Sequence, residues 1–254
     1  MTLTGAIISG LVQGVTEFLP VSSSGHLVLL HSFFGLSEPT LFFDICLHVG
    51  TLGAIILYFR EELLSILKEK NIYAIICLIV GTIPVVIAAT LFDGEIEKTF
   101  MRPVFVASAL VVTGLMLFAG QYFLWRKSKK KGKVGIVDAL FIGVAQIAAL
   151  LPGISRSGTT ISSGLVLGVN PDKVFKFSFL LAIPATIGAA CYGFINLGAG
   201  DVKVVDLPQY AAGMFTSFIV GMFCLPYLWR IISSRKLYLF GIYCFLLGML
   251  LIFV

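Results

Sequence analysis

Glu17, Ser23 and His26 place an acid, a hydroxyl and an imidazole within QGVTEFLPVSSSGH at 13–26 of an otherwise apolar chain. Gln13 and Glu17 are four residues apart and share one helical face; Pro20 interrupts that helix, and Ser22-Ser23-Ser24-Gly25-His26 follows. If Ser23 opens the next helix, it shares a face with His26. Such groups are costly in apolar surroundings unless paired or facing water, which makes acid, nucleophile and base a functional hypothesis by default. Each has a plainer reading: Glu17 as a structural hydrogen-bonding acid, Ser23 as a helix cap, His26 as a packing histidine.

A second polar cluster, Pro152-Gly153-Ile154-Ser155-Arg156-Ser157-Gly158-Thr159-Thr160, has the composition of an anion cradle. Glycine lets backbone N–H groups approach a ligand, a helix N-terminus favours negative charge, and Arg156 offers a fork of donors suited to phosphate oxygens. Ser155, Ser157 and Thr160 add hydroxyls. No lysine follows the glycines, so this is not a Walker motif. Arg156 can equally neutralise Glu17 in a structural ion pair.

The two clusters are copies. At an offset of 133 positions Gly10, Gln13, Ser22, Ser24, Gly25 and Gly35 match Gly143, Gln146, Ser155, Ser157, Gly158 and Gly168. Glu17, Ser23 and His26 face Leu150, Arg156 and Thr159, so attacking groups sit in one copy and the cation in the other. The units 1–121 and 134–254 form one integral membrane domain over 1–254, joined by the basic linker 122–133.

Hydrophobic residues make up 58% of the chain and charged residues 12%, the composition of a polytopic membrane protein. Apolar runs at 41–59, 72–92, 104–125, 177–195, 210–229 and 237–254 predict six spans. Six of the eight residues Arg126–Lys133 are basic; with Arg60, Lys68, Lys70, Arg230, Arg235 and Lys236 they are expected inside, and Asp93, Glu95 and Glu97 outside. Three spans per unit then require the copies to be inverted. The remaining segments, 1–36 and 134–169, are broken by Gly, Pro and Ser and read as re-entrant helix–loop–helix hairpins meeting near mid-membrane. The expected fold is thus all-α, an inverted-topology repeat with six full transmembrane helices and two re-entrant hairpins. The alternative is eight ordinary spans, each hairpin being one bent helix.

The net charge of +5 sits in a short linker without interleaved aromatics, which argues against nucleic acid. The stretch before Gln13 has neither the basic start nor the cleavage site of a signal peptide and reads as structural. Cys46, Cys77, Cys191, Cys224 and Cys244 lie in apolar segments without paired spacing and read as buried free thiols. His31 lies beyond the polar cluster, His48 reads as a packing or substrate-contact residue, and Asp44 as an interfacial acid.

Both motifs closely resemble those of undecaprenyl-diphosphate phosphatases, the bacitracin-resistance (UppP/BacA) family of bacterial inner-membrane enzymes. The family pattern (E/Q)GxTEFLPVSSxGH matches Gln13–His26, and PGxSRSGxT matches Pro152–Thr160. The resemblance covers essentially the whole chain. It implies hydrolysis of undecaprenyl diphosphate to undecaprenyl phosphate and inorganic phosphate, among membrane lipids, with the site facing the periplasmic or extracellular side. Carried onto these residues, it makes Ser23 the nucleophile, His26 its general base and Arg156 the stabiliser of phosphoryl charge. Gln13, Ser22, Ser155, Ser157 and Thr160 become substrate contacts. Glu17 orients His26 or holds a divalent cation, Mg²⁺ or Ca²⁺. A phosphohistidine on His26 and direct attack by water are alternative chemistries. A homodimer is compatible with the resemblance, and a lipid-phosphate transporter, alone or combined with hydrolysis, is the alternative function.

Overall fold

The computed structural model of the chain describes residues 1–34, 41–92, 94, 95, 99, 103–126, 131–197, 202 and 204–253. Gly35, Asp93, Glu97, the linker lysines at 127, 129 and 130, and the side chain of His31 lie outside the described residues.

The described chain is all-α. Its helices are α1 (Leu3–Thr16), α2 (Ser23–Phe34), α3 (Leu41–Tyr58), α4 (Arg60–Lys68), α5 (Ile72–Leu91), α6 (Pro103–Trp125), α7 (Ile136–Gln146), α8 (Arg156–Val166), α9 (Pro171–Ile195), α10 (Leu207–Ser233) and α11 (Tyr238–Phe253). Local chemistry sets several starts. Thr2 Oγ1 accepts from Gly5 N at 3.1 Å, Asn71 Oδ1 from Ala74 N at 3.1 Å, and Asn170 Oδ1 from Asp172 N at 2.9 Å ahead of Pro171. α7 and α8 begin 133 residues after α1 and α2, in the register of the sequence match.

Among the described residues five helices are long and apolar enough to cross a membrane: α3, α5, α6, α9 and the Val204–Ser233 segment containing α10. Within the sixth expected span, 237–254, the described residues form α11 over 16 residues, roughly 24 Å at 1.5 Å per residue. Leu91, Ile195, Phe223 and Phe253 are exposed on the outer surface, where lipid is the solvent. The chain is a multi-pass membrane protein. The thiols are free, as expected, but only Cys77 and Cys244 are buried; Cys46 and Cys224 are half-buried and Cys191 is exposed on α9.

Helices cross where glycine allows. A Cβ on Gly10 of α1 would lie 2.5 Å from the carbonyl oxygen of Gly213 in α10, and one on Gly143 of α7 would strike that of Gly81 in α5. Matched glycines thus do the same work in both copies, letting backbones touch where lipid supplies no hydrophobic drive between helices. Gly143→Val is expected to lower stability by about 3 kcal/mol, because the obstacle is backbone carbonyl and cannot rotate away. Thermal unfolding in detergent checks this, with Gly188→Val, where a Cβ meets open space, as control.

The main core surrounds Phe18, Phe59, Phe175 and Phe179, with Leu117, Ile161 and Leu228 packed among them. Basic residues gather at one end of the bundle. There Lys176 pairs with Glu62 at 2.6 Å, Lys133 lies 4.8 Å over the Tyr73 ring, Phe175 meets Trp229 and Gln121 donates to the carbonyl of Arg235 at 3.0 Å. At the other end the amino group of Met1 meets Asp206 at 3.6 Å.

Both broken segments fold back on themselves. Leu27 and Leu30 of α2 share a cluster with Ala6 of α1, Phe43 and Leu47 of α3 and Tyr210 of α10. Lys131 N donates to Gly168 O at 2.9 Å and Asn170 N to Lys131 O at 3.0 Å, so α7–α8 leaves and returns at the basic end.

Candidate active site

Two short turns, between α1 and α2 and between α7 and α8, are built by one hydrogen-bond scheme. Ser22 Oγ accepts from Gly25 N at 3.3 Å and lies 3.4 Å from Ser24 Oγ; Ser155 Oγ accepts from Gly158 N at 3.1 Å and lies 3.3 Å from Ser157 Oγ. His26 Nδ1 meets Ser22 O at 2.8 Å, and Thr159 Oγ1 donates to Ser155 O at 2.8 Å. The cap of α2 is therefore Ser22, which leaves the Ser23 hydroxyl available. The tips touch reciprocally: a Cβ on Gly25 would lie 3.1 Å from Gly153 Cα, and one on Gly158 would lie 3.3 Å from Pro20 Cβ. The left-handed residue differs between turns, Ser22 (φ 71°) in one and Gly153 (φ 97°) in the other.

Contact between the tips brings the two halves of the chemistry together. Arg156, first residue of α8, donates from Nη2 to Glu17 Oε1 at 2.5 Å. Ser23 Oγ donates to Glu17 Oε2 at 2.6 Å, and Gln13 Nε2 to the same oxygen at 3.3 Å. Glu17 is the hub. Arg156 Nη1 and Gln13 Oε1 are buried beside it without a partner among the described residues, a donor and an acceptor left open to a ligand.

Two expectations need correction. Ser23 is not paired with His26, because both imidazole nitrogens are engaged elsewhere, Nδ1 by Ser22 O and Nε2 by the Tyr243 hydroxyl at 2.7 Å. The left-handed Ser22 turns Ser23 back onto Glu17 instead. Second, Ser155, Ser157 and Thr160 are buried in the fabric of the turn and α8: Ser155 caps the helix, and Thr160 Oγ1 bonds Arg156 O at 2.9 Å and Ser178 Oγ at 2.6 Å. They shape the place from which Arg156 projects. Asp44, in the first turn of α3, has its Oδ1 buried without a described partner. His48, one turn on, bonds the Asp44 carbonyl at 2.8 Å and lies near enough to Glu17 for electrostatic interaction.

Glu17 is poorly suited to ligate a cation as it stands, since a guanidinium holds one oxygen and Ser23 and Gln13 hold the other. Among the described residues no cluster of three or more His, Cys, Asp or Glu could hold a metal. Tyr243 and Ser178 were missed from sequence. Tyr243 had a signal: it stands in an apolar run where the matched position of the other copy is Leu110.

Fold and site together define a multi-pass membrane protein with a carboxylate, a serine hydroxyl and a half-paired guanidinium assembled from two broken helices. Residues 6–250 match the family model for bacitracin resistance protein BacA, and the chain belongs to that family. It is 41% identical to the undecaprenyl-diphosphatase of Carboxydothermus hydrogenoformans, over 96% of this chain and 94% of that one. It is 38% identical to that of Syntrophotalea carbinolica (98% and 97% covered) and 35% to undecaprenyl-diphosphatase 1 of Shouchella clausii (98% and 95%).

Proposed function

We propose that this chain hydrolyses undecaprenyl diphosphate to undecaprenyl phosphate and inorganic phosphate. The observation that carries the reading is the Arg156–Glu17–Ser23 hub, with Arg156 Nη1 unpartnered among the described residues where a phosphoryl oxygen could be gripped. The polyprenyl tail stays among apolar helices while the head reaches the turns.

In this mechanism Ser23 Oγ attacks the distal phosphorus as its proton passes to Glu17 Oε2, already its hydrogen-bond acceptor. The bond from phosphorus to the bridging oxygen breaks, and undecaprenyl phosphate leaves with that oxygen. Arg156 balances the charge that develops on the phosphoryl oxygens. Water then attacks the phosphoserine, its proton passing to His26 Nε2 by way of the Tyr243 hydroxyl, while Glu17 returns a proton to the departing serine oxygen. A divalent cation, Mg²⁺ or Ca²⁺, belongs to the proposal as a neutraliser of diphosphate charge; the diphosphate oxygens would carry it, and no step above depends on it.

We further read the fold as an inverted repeat with two re-entrant hairpins. Support comes from the recurring turn bonds, the reciprocal contact of the tips, and the return of each broken segment to its own end. The basic end is assigned to the cytoplasm. The first hairpin then enters from the opposite side, and catalysis faces the periplasm or exterior of a bacterial inner membrane. Recycling of the wall-polymer carrier and loss of bacitracin's lipid target follow from the same activity.

Purified protein in detergent is expected to release inorganic phosphate from undecaprenyl diphosphate, measured colorimetrically with and without chelator. Absence of release with Mg²⁺ or Ca²⁺ supplied would refute hydrolysis; release excludes a protein that only transports.

A further inference from the structure

We propose that Tyr243 holds the tautomer and ring orientation of His26 from the far end of the chain and carries the proton that reaches its Nε2. The inference rests on His26 taking part in the hydrolysis proposed above.

Nδ1 of His26 faces the Ser22 carbonyl oxygen at 2.8 Å, and a carbonyl can only accept, so Nδ1 carries the ring proton. In the neutral ring Nε2 then holds a lone pair, and the Tyr243 hydroxyl, 2.7 Å away, donates to it. The two rings lie 12° from parallel, with centroids 5.7 Å apart. The next residue docks the same stretch of α11 onto the same turn, Cys244 Sγ donating to Pro20 O at 3.7 Å. Two successive side chains of α11 thus grip both sides of the segment that carries Ser22 and Ser23.

The contact survives a change of protonation. Nε2 takes up a proton through that contact: the Tyr243 hydroxyl passes its hydrogen to Nε2 as its oxygen receives the proton of the attacking water, and the imidazolium then donates to the Tyr243 oxygen; Tyr243 is 45% exposed, so its oxygen can be reached. Tyr243 neither touches the Glu17 hub nor substitutes for it. It fixes where the lone pair points. In the other copy Thr159 Oγ1 donates to the Ser155 carbonyl and lies 3.6 Å from Met116 Sδ, and the position matching Tyr243 is the buried Leu110, so the tyrosine contact belongs to the half that carries the imidazole.

Tyr243→Phe keeps the ring and removes the hydroxyl. It is expected to lower kcat by about tenfold, with KM within about twofold of native. In a His26→Gln background the same substitution is expected to change the residual kcat by less than about twofold, because the partner it acts on is gone. Equal losses in both backgrounds, or native kcat in Tyr243→Phe, overturn the proposal. Should the variant not fold, ¹⁵N spectra of the histidine-labelled native protein decide, with His26→Gln supplying the assignment. The Nδ1–H tautomer with a hydrogen-bonded Nε2 is expected, and the Nε2–H tautomer refutes it. Phosphate release by the native protein tests the underlying reading separately, since the tautomer is read without substrate.

Discussion

Arg156→Lys is expected to lower turnover of undecaprenyl diphosphate by about a thousandfold while leaving the protein folded. Arg156 serves two partners at once: Nη2 is committed to Glu17 Oε1, and Nη1 has no described partner. A guanidinium can do both because its donors are fixed in a planar fork; an ammonium is a point charge on a flexible stem that can meet the carboxylate or the phosphoryl oxygens but not hold both in register. Charge is conserved, so the fold should survive. Arg156→Ala should behave differently, because Glu17 would be left in a site where the two side chains are only 10% and 17% exposed. Losing one member of such a pair costs roughly 3–5 kcal/mol, and adding Glu17→Gln should restore much of it without restoring activity. Thermal unfolding and phosphate release, measured on the same samples, separate the two roles. Near-native turnover in Arg156→Lys would mean that the residue is an ion-pair partner and nothing more.

The polar turns were legible because side-chain cost is legible: Glu17, Ser23, His26 and Arg156 have no reason to stand in apolar segments unless something uses them. The 133-residue offset was legible for a similar reason, since Gly10 and Gly143 recur at helix crossings where any other residue would strike a backbone carbonyl. Pairing within the site was not. Helical spacing places Ser23 and His26 on one face, and that holds, yet the partner of Ser23 is decided by the left-handed turn at Ser22, whose φ of 71° has no sequence signature in a serine. Nor could spacing show that Ser155 and Thr160 spend their hydroxyls on the backbone of α8. The His26–Tyr243 contact joins residues 217 positions apart and depends on how α11 lies over the first turn. Hydropathy located that helix, whose described part runs 16 residues.

Ser23→Ala is expected to reduce hydrolysis by at least about 10⁴-fold and to abolish any covalent phosphoenzyme, the size of loss seen when a committed nucleophile is removed. Glu17 would keep Arg156 and Gln13, so the carboxylate is not stranded and the fold should be unaffected. Neighbouring hydroxyls cannot take over. Ser22 is held in the left-handed region with its Oγ capping Gly25 N, and the described contact of Ser24 is with Ser22, not with Glu17. Rapid quench with ³²P-labelled diphosphate gives the discriminating measurement. A phosphoserine is stable to acid and lost in base, whereas a phosphohistidine is lost in acid and stable in base. An acid-stable label in the native enzyme that disappears in Ser23→Ala supports the Glu17–Ser23 route. An acid-labile label that persists in Ser23→Ala would transfer the nucleophile to His26, and Ser23 would then be a donor to the bound phosphate. That outcome would also require Tyr243 to leave Nε2 before attack, since the hydroxyl occupies the lone pair that would have to reach phosphorus. Tyr243→Phe would then speed the first half-reaction rather than slow it, so the two alternatives differ in sign as well as in the chemistry of the trapped residue.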